Sequence, residues 1–299
     1  MTLPSSGHGS PPGRLFAAKG LAPEYLESID ELAAACIAVD GGRLKLERRV
    51  LQERAADQSN DFMWFGPTGL VGFLGIYGFR PEQVELCGMV HPSARRQGIF
   101  SQLFDAAIEE AAGRGVTEAL LVVDRLHEAG AAFARSIGAT VEHSEHRMVL
   151  RREPAPFVFD PAVRVRRAEA ADVPFVIACL AEAFAFPAAQ IASEEAEALA
   201  RRFPGTLVIE RGQDLVGTVR VDSDDKEADV YGFAVMPQFQ GRGIGRQVLS
   251  GLARDLVAEG MRRVGLEVSC TNDSALRLYL SCGFDVTGTE DYFAVSLGS

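Results

Sequence analysis

The chain of 299 residues repeats itself once, at a constant spacing of 145 positions. The recurring pairs are Val90 with Val235, Pro92 with Pro237, Gly98 with Gly243, Ile99 with Ile244, Gly115 with Gly260, Leu121 with Leu266, and Gly138 with Gly283. One spacing held over roughly fifty positions indicates a duplicated domain, since a solenoid needs three or more copies.

Both halves show the same order of predicted elements. In the first half we expect strands at Arg14–Lys19, Phe62–Phe65, Leu70–Tyr77, Gln83–Val90, Ala119–Val123 and up to Leu150, and helices at Ala22–Val39, Lys45–Asp57, Ile99–Gly113 and Ala129–Ile137. In the second half we expect strands at Val163–Arg167, Leu207–Glu210, Leu215–Val221, Ala228–Val235, Val264–Ser269 and a final pair from Phe284 to Leu297, and helices at Val173–Phe184, Glu194–Arg202, Ile244–Glu259 and Ser274–Ser281. This mixture predicts an α/β (α+β) fold class.

Composition predicts the domain boundaries. Residues 1–13 are polar and rich in Ser, Gly and Pro, which is typical of a disordered tail. The three prolines at 154, 156 and 161 predict a linker at 153–162. We therefore expect domains at 14–152 and 163–299, each long enough to bury its own core.

The net charge of −11 argues against a nucleic-acid partner, because phosphate binding needs a basic face. It is compatible with a cationic substrate such as an amine. The N-terminus lacks the apolar core of a signal peptide, and no apolar run reaches the roughly 18 residues of a membrane helix. We expect a cytoplasmic protein without a membrane partner, either a monomer or a homodimer.

The cysteines give little support to a disulfide or a metal site. They are odd in number, scattered and without a CxxC pair, at Cys36, Cys87, Cys179, Cys270 and Cys282. A reduced chain without a metal is the expectation.

A glycine-rich loop joins the predicted strand ending near Met236 to the following helix. Its residues are Gln240, Gly241, Arg242, Gly243, Ile244 and Gly245. Backbone N–H groups of such a loop, together with the helix N-terminus, form an anion site that glycines allow phosphate oxygens to approach. A dinucleotide fingerprint would need glycine at position 246, where arginine stands. The residues alone leave open a pyrophosphate cradle or a turn that caps the helix.

The loop resembles the motif Gln/Arg-x-x-Gly-x-Gly/Ala of the GNAT superfamily of N-acetyltransferases, through Gln240, Gly243 and Gly245. The superfamily's second hallmark, an Asn, a helix carrying Tyr and then Gly-Phe, is matched by Asn272, Tyr279 and the pair at 283–284. The resemblance covers about 163–297 well and extends to 14–150 through the repeat. It implies two domains, each with a mostly antiparallel, splayed central sheet flanked by helices, and acetyl-CoA as cosubstrate.

Leu-Glu-Val at 266–268 is similar to the ribosomal-protein alanine acetyltransferase branch, and the tandem layout to the mycothiol synthases. The first resemblance implies that Glu267 is the general base and Tyr279 the general acid. A carboxylate can take the proton of an ammonium acceptor, and a phenol can protonate the departing thiolate. Glu267 could instead pair with Arg262 or Arg263, and Tyr279 could be a packing residue.

Other residues receive roles of the same kind. Glu290 and Asp291 are rival bases. The resemblance implies that backbone groups of Ala234, Val235 and Met236 bind pantetheine and polarise the thioester carbonyl. Asn272 would bond the pantetheine arm, or would cap the following helix.

The first copy departs from this pattern. At the spacing of 145, Gln240 becomes Arg95 and Gly243 becomes Gly98, which the motif allows. The remaining replacements are Gly245 by Phe100, Glu267 by Val122, Asn272 by His127, Tyr279 by Ala134 and Phe284 by Ala139. We expect Phe100 to crowd phosphate at the helix start, His127 to be a solvated loop residue, and the first domain to be degenerate, with no well-ordered CoA at 95–100.

The sequence therefore predicts an N-acetyltransferase that moves acetyl from acetyl-CoA to a primary amine, by direct attack in a ternary complex in the C-terminal domain. The alternative is a non-catalytic acyl-CoA-binding or regulatory protein. The acceptor stays open between a peptide N-terminus, an aminoglycoside, a polyamine and an amino-acid derivative.

Overall fold

The computed structural model describes residues 13–78, 82–154, 159–184, 205–224 and 226–297. The chain forms two compact units. Unit 1 comprises Met1–Ser144 with Glu290–Ser299, and unit 2 comprises Glu145–Thr289. The predicted helix at 194–202 lies outside the described residues. No described helix is long and apolar enough to cross a membrane.

The first half of the chain contains six strands and four helices among its described residues. The strands are β1 (Arg14–Lys19), β2 (Ser59–Gly66), β3 (Gly69–Gly78), β4 (Gln83–Val90), β5 (Glu118–Asp124) and β6 (Thr140–Leu150). The helices are α1 (Pro23–Asp40), α2 (Arg48–Gln52), α3 (Ile99–Gly113) and α4 (Glu128–Ser136). The helix predicted at 45–57 is thus a single short turn of five residues.

The second half repeats this order in the part that the structure describes. The strands are β7 (Val163–Arg167), β8 (Thr206–Arg211), β9 (Asp214–Asp224), β10 (Glu227–Val235), β11 (Arg263–Ser269) and β12 (Phe284–Ser296). The helices are α5 (Val173–Phe184), α6 (Ile244–Ala258) and α7 (Asp273–Ser281). Helices α3 and α6, α4 and α7, and strands β5 and β11 correspond at the spacing of 145 at both ends, so the repeat is structural.

The last strand corrects one prediction. Residues 284–296 form a single strand of 13 residues and not a pair. Gly288, which favours a turn in the sequence, lies inside this strand, and a Cβ atom there would stand 2.2 Å from a terminal nitrogen of Arg147. The glycine therefore admits the buried Arg147 side chain beside the backbone.

The boundary between the units falls within β6 and within β12. In unit 1 the strand order is β1-β2-β3-β4-β5-β12-β6, with the 290–296 segment of β12 antiparallel to β5. In unit 2 the order is β12-β6-β11-β10-β9-β8-β7, with the 145–149 segment of β6 antiparallel to β11. Each unit thus fills the position beside its fifth strand with a segment from the other half of the sequence.

The pairs β4 with β5 and β10 with β11 are parallel. The pairs within β1–β4 and within β7–β10, and the pairs β5 with β12 and β6 with β11, are antiparallel. The α3 and α4 helices cover one face of the unit 1 sheet, and α1 and α2 cover the other. In unit 2, α6 and α7 pack on one face and α5 on the opposite face. Residues 159–162 of the predicted linker lie against unit 2, where Gln247 bonds both the N–H and the carbonyl of Asp160.

A buried ion pair lies in unit 1 between α2 and β2. Arg54 Nε is 3.1 Å from an oxygen of Asp61, and the two side chains are 5% and 0% exposed. The Arg54 guanidinium also lies 4.8 Å above the ring of Tyr77. Burial raises the pKa of Asp61 to about 6, although Arg54 opposes that rise. The folded protein therefore binds this proton more tightly than the unfolded chain, and the contribution of Asp61 to stability falls as the pH rises from about 4 through 6.

We predict that Arg54→Met destabilises the protein by about 3–5 kcal/mol at pH 7, because it leaves a buried carboxylate without its cation. At pH 5 the loss is smaller, since Asp61 is then protonated. Adding Asp61→Asn recovers much of the stability. Urea unfolding of the three variants at both pH values measures this, and an equal loss for Arg54→Met at pH 5 and pH 7 would contradict it.

Candidate active site

Strands β10 and β11 open into a gap in unit 2. They pair from Glu227 with Arg263 to Val230 with Leu266, and no pair follows. Just beyond, the pairing of β10 with β9 shifts between Tyr231 and Ala234, where Gly232 has a φ of 55°. This bulge turns the strand away from β11. The splay that the resemblance implied is therefore present.

Two backbone groups in the segment 234–236, which the resemblance assigned to pantetheine binding, already have hydrogen-bond partners within the protein. The Met236 N–H donates to the Val216 carbonyl at 2.9 Å, and the Val235 carbonyl accepts from Gln240 at 2.8 Å. Of the predicted segment 234–236, the Met236 N–H is thus committed to β9. Gly232 and Phe233, in the bulge, have no register partner on β9. The sequence analysis missed these two residues, although a glycine inside a strand is a signal for a bulge.

The loop after β10 has the conformation of an anion nest. A short 3-10 turn at Pro237–Phe239 precedes it, and Gly241 and Gly243 adopt φ values of 70° and 80°. Gly243 is the N-cap of α6, and no side chain caps the first N–H groups of that helix. Uncapped N–H groups and the positive end of the helix dipole attract an anion.

Helix α7 carries the two other motif residues. The Asn272 side-chain oxygen accepts from the Ala275 N–H at 3.0 Å, so the capping role is observed. Tyr279 is 9% exposed in the core under α6. Burial, with a smaller contribution from Cys282, raises the pKa of Tyr279 to about 12. Its hydroxyl therefore keeps its proton throughout the physiological pH range.

Glu267 lies on the face of the sheet opposite α6 and α7. Its neighbours Leu266 and Val268 are buried in the core, whereas Glu267 is exposed. Arg263, which the alternative interpretation paired with Glu267, directs its terminal nitrogens to Asp229 at 2.8 and 3.0 Å. Asp229 pairs in register with Gly265, so it is a second carboxylate on this face.

Glu290 and Asp291, the rival candidates for the base, lie on the segment of β12 that belongs to unit 1. Glu290 pairs in register with Asp124 of β5 and is 2% exposed. Asp291 accepts from Arg125 at 2.5 Å and from Ser144 at 2.6 Å. Arg125 and Ser144 hold the pKa of Asp291 below its ordinary value despite the opposing effect of burial.

A profile of the acetyltransferase (GNAT) family matches residues 26–139 and 175–284. The chain belongs to this family. It is an acetyltransferase of the acetyl-CoA-dependent type, with the two tandem GNAT domains that the sequence predicted.

Two curated relatives are similar over most of their length. A mycothiol acetyltransferase from Brachybacterium faecium is 29% identical over 242 residues, which cover 74% of the chain and 70% of the relative. A mycothiol acetyltransferase from Thermobispora bispora is 32% identical over 285 residues, which cover 88% of the chain and 93% of the relative.

Two solved structures share the fold. A GCN5-related N-acetyltransferase from Sphaerobacter thermophilus has a TM-score of 0.80 at 19% identity, covering 100% of this chain and 98% of that one. A tandem GNAT protein from the clavulanic acid biosynthesis pathway has a TM-score of 0.75 at 16% identity, covering 96% and 99%.

The corresponding loop of unit 1 keeps its shape despite its different sequence. Arg95 Nε donates to the Val90 carbonyl at 3.0 Å, as Gln240 does to Val235. Arg96 adopts a left-handed φ of 62° in the place of Gly241, and Gly98 has a φ of 80°. An arginine held in that region is strained relative to a glycine.

The Phe100 ring, at the start of α3, has a defined packing position. It packs on Gly88 and lies 4.7 Å, edge-on, from the ring of Phe133. At the spacing of 145, Gly88 corresponds to Phe233, and Phe100 to Gly245. In unit 2 a Cβ on Gly245 would stand 3.8 Å from the Phe233 ring. The equivalent packing position is therefore filled by Phe100 of α3 in unit 1 and by Phe233 of β10 in unit 2.

This exchange predicts a compensated double mutant in unit 2. Gly245→Phe alone should destabilise the protein, because its Cβ meets Leu278 at 3.2 Å and its ring competes with Phe233. Adding Phe233→Gly should recover about 1–3 kcal/mol through the coupling of two residues in contact. Thermal unfolding of the single and double variants measures the coupling. Strictly additive losses would contradict the shared position.

Proposed function

We propose that the chain transfers an acetyl group from acetyl-CoA to a primary amine, by direct attack in a ternary complex, with the chemistry in unit 2. The observation that carries the proposal is the gap between β10 and β11, together with the uncapped N-terminus of α6 that follows β10. The names of the two mycothiol acetyltransferase relatives favour a small-molecule acceptor over a protein N-terminus.

Each part that this reaction needs has a candidate in unit 2. The loop at 240–245 and the N-terminus of α6 would hold the pyrophosphate of acetyl-CoA. The pantetheine arm would lie in the gap, where the amide nitrogen of Asn272 can donate while its oxygen caps α7. The bulge at Gly232 and Phe233 would present backbone to the thioester carbonyl, along with Ala234 and Val235.

Two side chains would carry the proton transfers. Glu267 would take the ammonium proton of the acceptor, directly or through water, which frees the nitrogen lone pair for attack on the carbonyl carbon. The tetrahedral intermediate then breaks its C–S bond, and its nitrogen releases its second proton to solvent. Tyr279 would donate its proton, or a strong hydrogen bond, to the departing CoA thiolate. The products are the acetylated amine and CoA.

We predict that Tyr279→Phe lowers kcat roughly 100-fold or more, because a general acid contributes about that factor. The KM for acetyl-CoA should change little. CoA release with a panel of small amines measures both constants, and Tyr25→Phe on α1 is a matched control that should leave them unchanged. Equal turnover by wild type and Tyr279→Phe would remove the acid from the mechanism. Binding of acetyl-CoA without turnover of any amine would favour the regulatory alternative.

Substitution of two carboxylates on the same face of the unit 2 sheet, Glu267 and Asp229, tests which residue is the general base. Glu267→Gln should lower kcat/KM roughly 100-fold or more, as expected for loss of a general base. Asp229→Asn should have a smaller effect, because both of its oxygens are bonded to Arg263. The same assay compares the two variants. A larger loss for Asp229→Asn would transfer the role of base to that residue.

A further inference from the structure

Unit 1 keeps the shape of a ligand site although it lacks the proposed catalytic residues of unit 2. Strands β4 and β5 pair over four residues and then open, and a cavity of about 480 Å³ lies at this opening, lined by residues from the ends of both strands. Gly98 is the N-cap of α3 with a φ of 80°, as Gly243 is of α6. Cavities of roughly 300–1,000 Å³ are typical of small-molecule sites. The loss of catalytic residues has therefore not by itself closed the gap of unit 1.

An ion pair lines this cavity at the end of β4. Arg95 donates from its two terminal nitrogens to the two oxygens of Asp40, the last residue of α1, at 2.8 and 2.6 Å. Its Nε donates to the Val90 carbonyl at 3.0 Å, so all three guanidinium nitrogens donate within the protein. The hydrogen bonds from Arg95 hold the pKa of Asp40 below its ordinary value, and the pair is ionised at neutral pH. Bidentate pairs of this kind are among the stronger hydrogen bonds of proteins.

Two further contacts fasten the end of α1 to the gap. The Cys36 thiol, one turn before Asp40, donates to the same Val90 carbonyl at 3.5 Å. His127 follows β5, and its Nε2 lies 3.6 Å from an oxygen of Asp40. The sequence predicted a solvated loop histidine, whereas this side chain is 36% exposed and faces a carboxylate. The last turn of α1 is thus joined to residues that follow both strands of the gap.

The repeat shows which residues this bridge has replaced. At the spacing of 145, Arg95 corresponds to Gln240 and His127 to Asn272, two side chains that the resemblance assigns to the CoA site. In unit 2, Gln240 bonds the end of β10 and Asn272 caps α7. In unit 1, both replacements lie against the carboxylate of Asp40. Two changes in the cofactor motif therefore converge on one residue of α1.

We propose that Asp40 closes unit 1 to CoA through an autoinhibitory contact, and that loss of its carboxylate makes unit 1 a second CoA site. The identity of the ligand rests on the proposed function, because unit 2 provides the comparison. A pantetheine arm would have to pass between the ends of β4 and β5, which Asp40 joins through Arg95 and His127. Its entry would separate Asp40 from its cation, and the carboxylate repels the phosphates that the loop at 95–100 would hold.

Calorimetric titration of the full chain with CoA counts the open sites. We expect one equivalent for wild type and two for Asp40→Ala. If the bridge leaves unit 1 open in about a tenth of the molecules or fewer, its removal raises the apparent affinity of that unit at least about tenfold. Asp30→Ala is the matched control on the same helix, because Asp30 pairs with Arg48 away from the cavity, and it should bind one equivalent. Asp40→Asn keeps the side-chain shape without the charge, so it should also admit a second equivalent, and it replaces Asp40→Ala if that variant does not fold.

A Gly243→Arg background separates the two units. Gly243 has a φ of 80°, which disfavours arginine, so this variant should lose the unit 2 site, and adding Asp40→Ala should restore one equivalent in unit 1. Two equivalents in wild type, or one in wild type and in both Asp40 variants, would overturn the autoinhibitory contact and leave the proposed function standing. Binding by Asp40→Ala with none by wild type would support the contact and overturn the proposed site in unit 2. Absence of CoA binding by every variant would overturn both.

Discussion

In each unit, the features of the candidate site depend on the point where the fourth and fifth strands stop pairing. Each parallel pair runs for four residue pairs and then opens. Opened strands lose backbone partners, and buried carbonyls need new ones. The first residue of the following loop supplies one in both units, since Gln240 bonds the carbonyl of Val235 and Arg95 bonds that of Val90. The gap is therefore stabilised by a side chain at a fixed place in each copy.

The two copies show that the shape of the loop and its chemistry are separable. The loop of unit 1 keeps two left-handed residues, although one is Arg96 where unit 2 has glycine. That conformation disfavours a non-glycine residue by about 1–2 kcal/mol, so the surrounding structure imposes it. The residues corresponding to Tyr279 and Glu267 are nevertheless alanine and valine. Unit 1 thus retains a cavity of the same origin with different polar groups.

Local patterns were sufficient to predict the repeat, the family and most elements. Periodicity and turn residues gave α3 and β4 their observed ends, because those signals depend on neighbours in the sequence. The partners of β6 and β12 are distant in the sequence, and no local signal places Glu290 beside β5. The packing of Phe100 on Gly88 also has no local signal, because Gly88 lies on another element.

The Met236 N–H in unit 2 shows a second limit of prediction from the sequence. A resemblance can assign backbone to a ligand, but the pairing with Val216 decides which groups remain. The bulge at Gly232 leaves two residues without a register partner, and its position follows from the register of β9 and β10. The sequence indicated the gap, whereas the position of the bulge follows from a register that was not predicted.

The exchange of strand segments has a consequence for how such a chain can evolve. Unit 2 takes residues 145–149 from the first half, and unit 1 takes residues 290–296 from the second. A gene encoding either half alone would therefore lack a strand beside the fifth strand of its own unit, and that sheet would have an open edge. Deleting either half would therefore open an edge in the sheet of the other. The duplication is thus preserved by its architecture, whatever chemistry each copy retains.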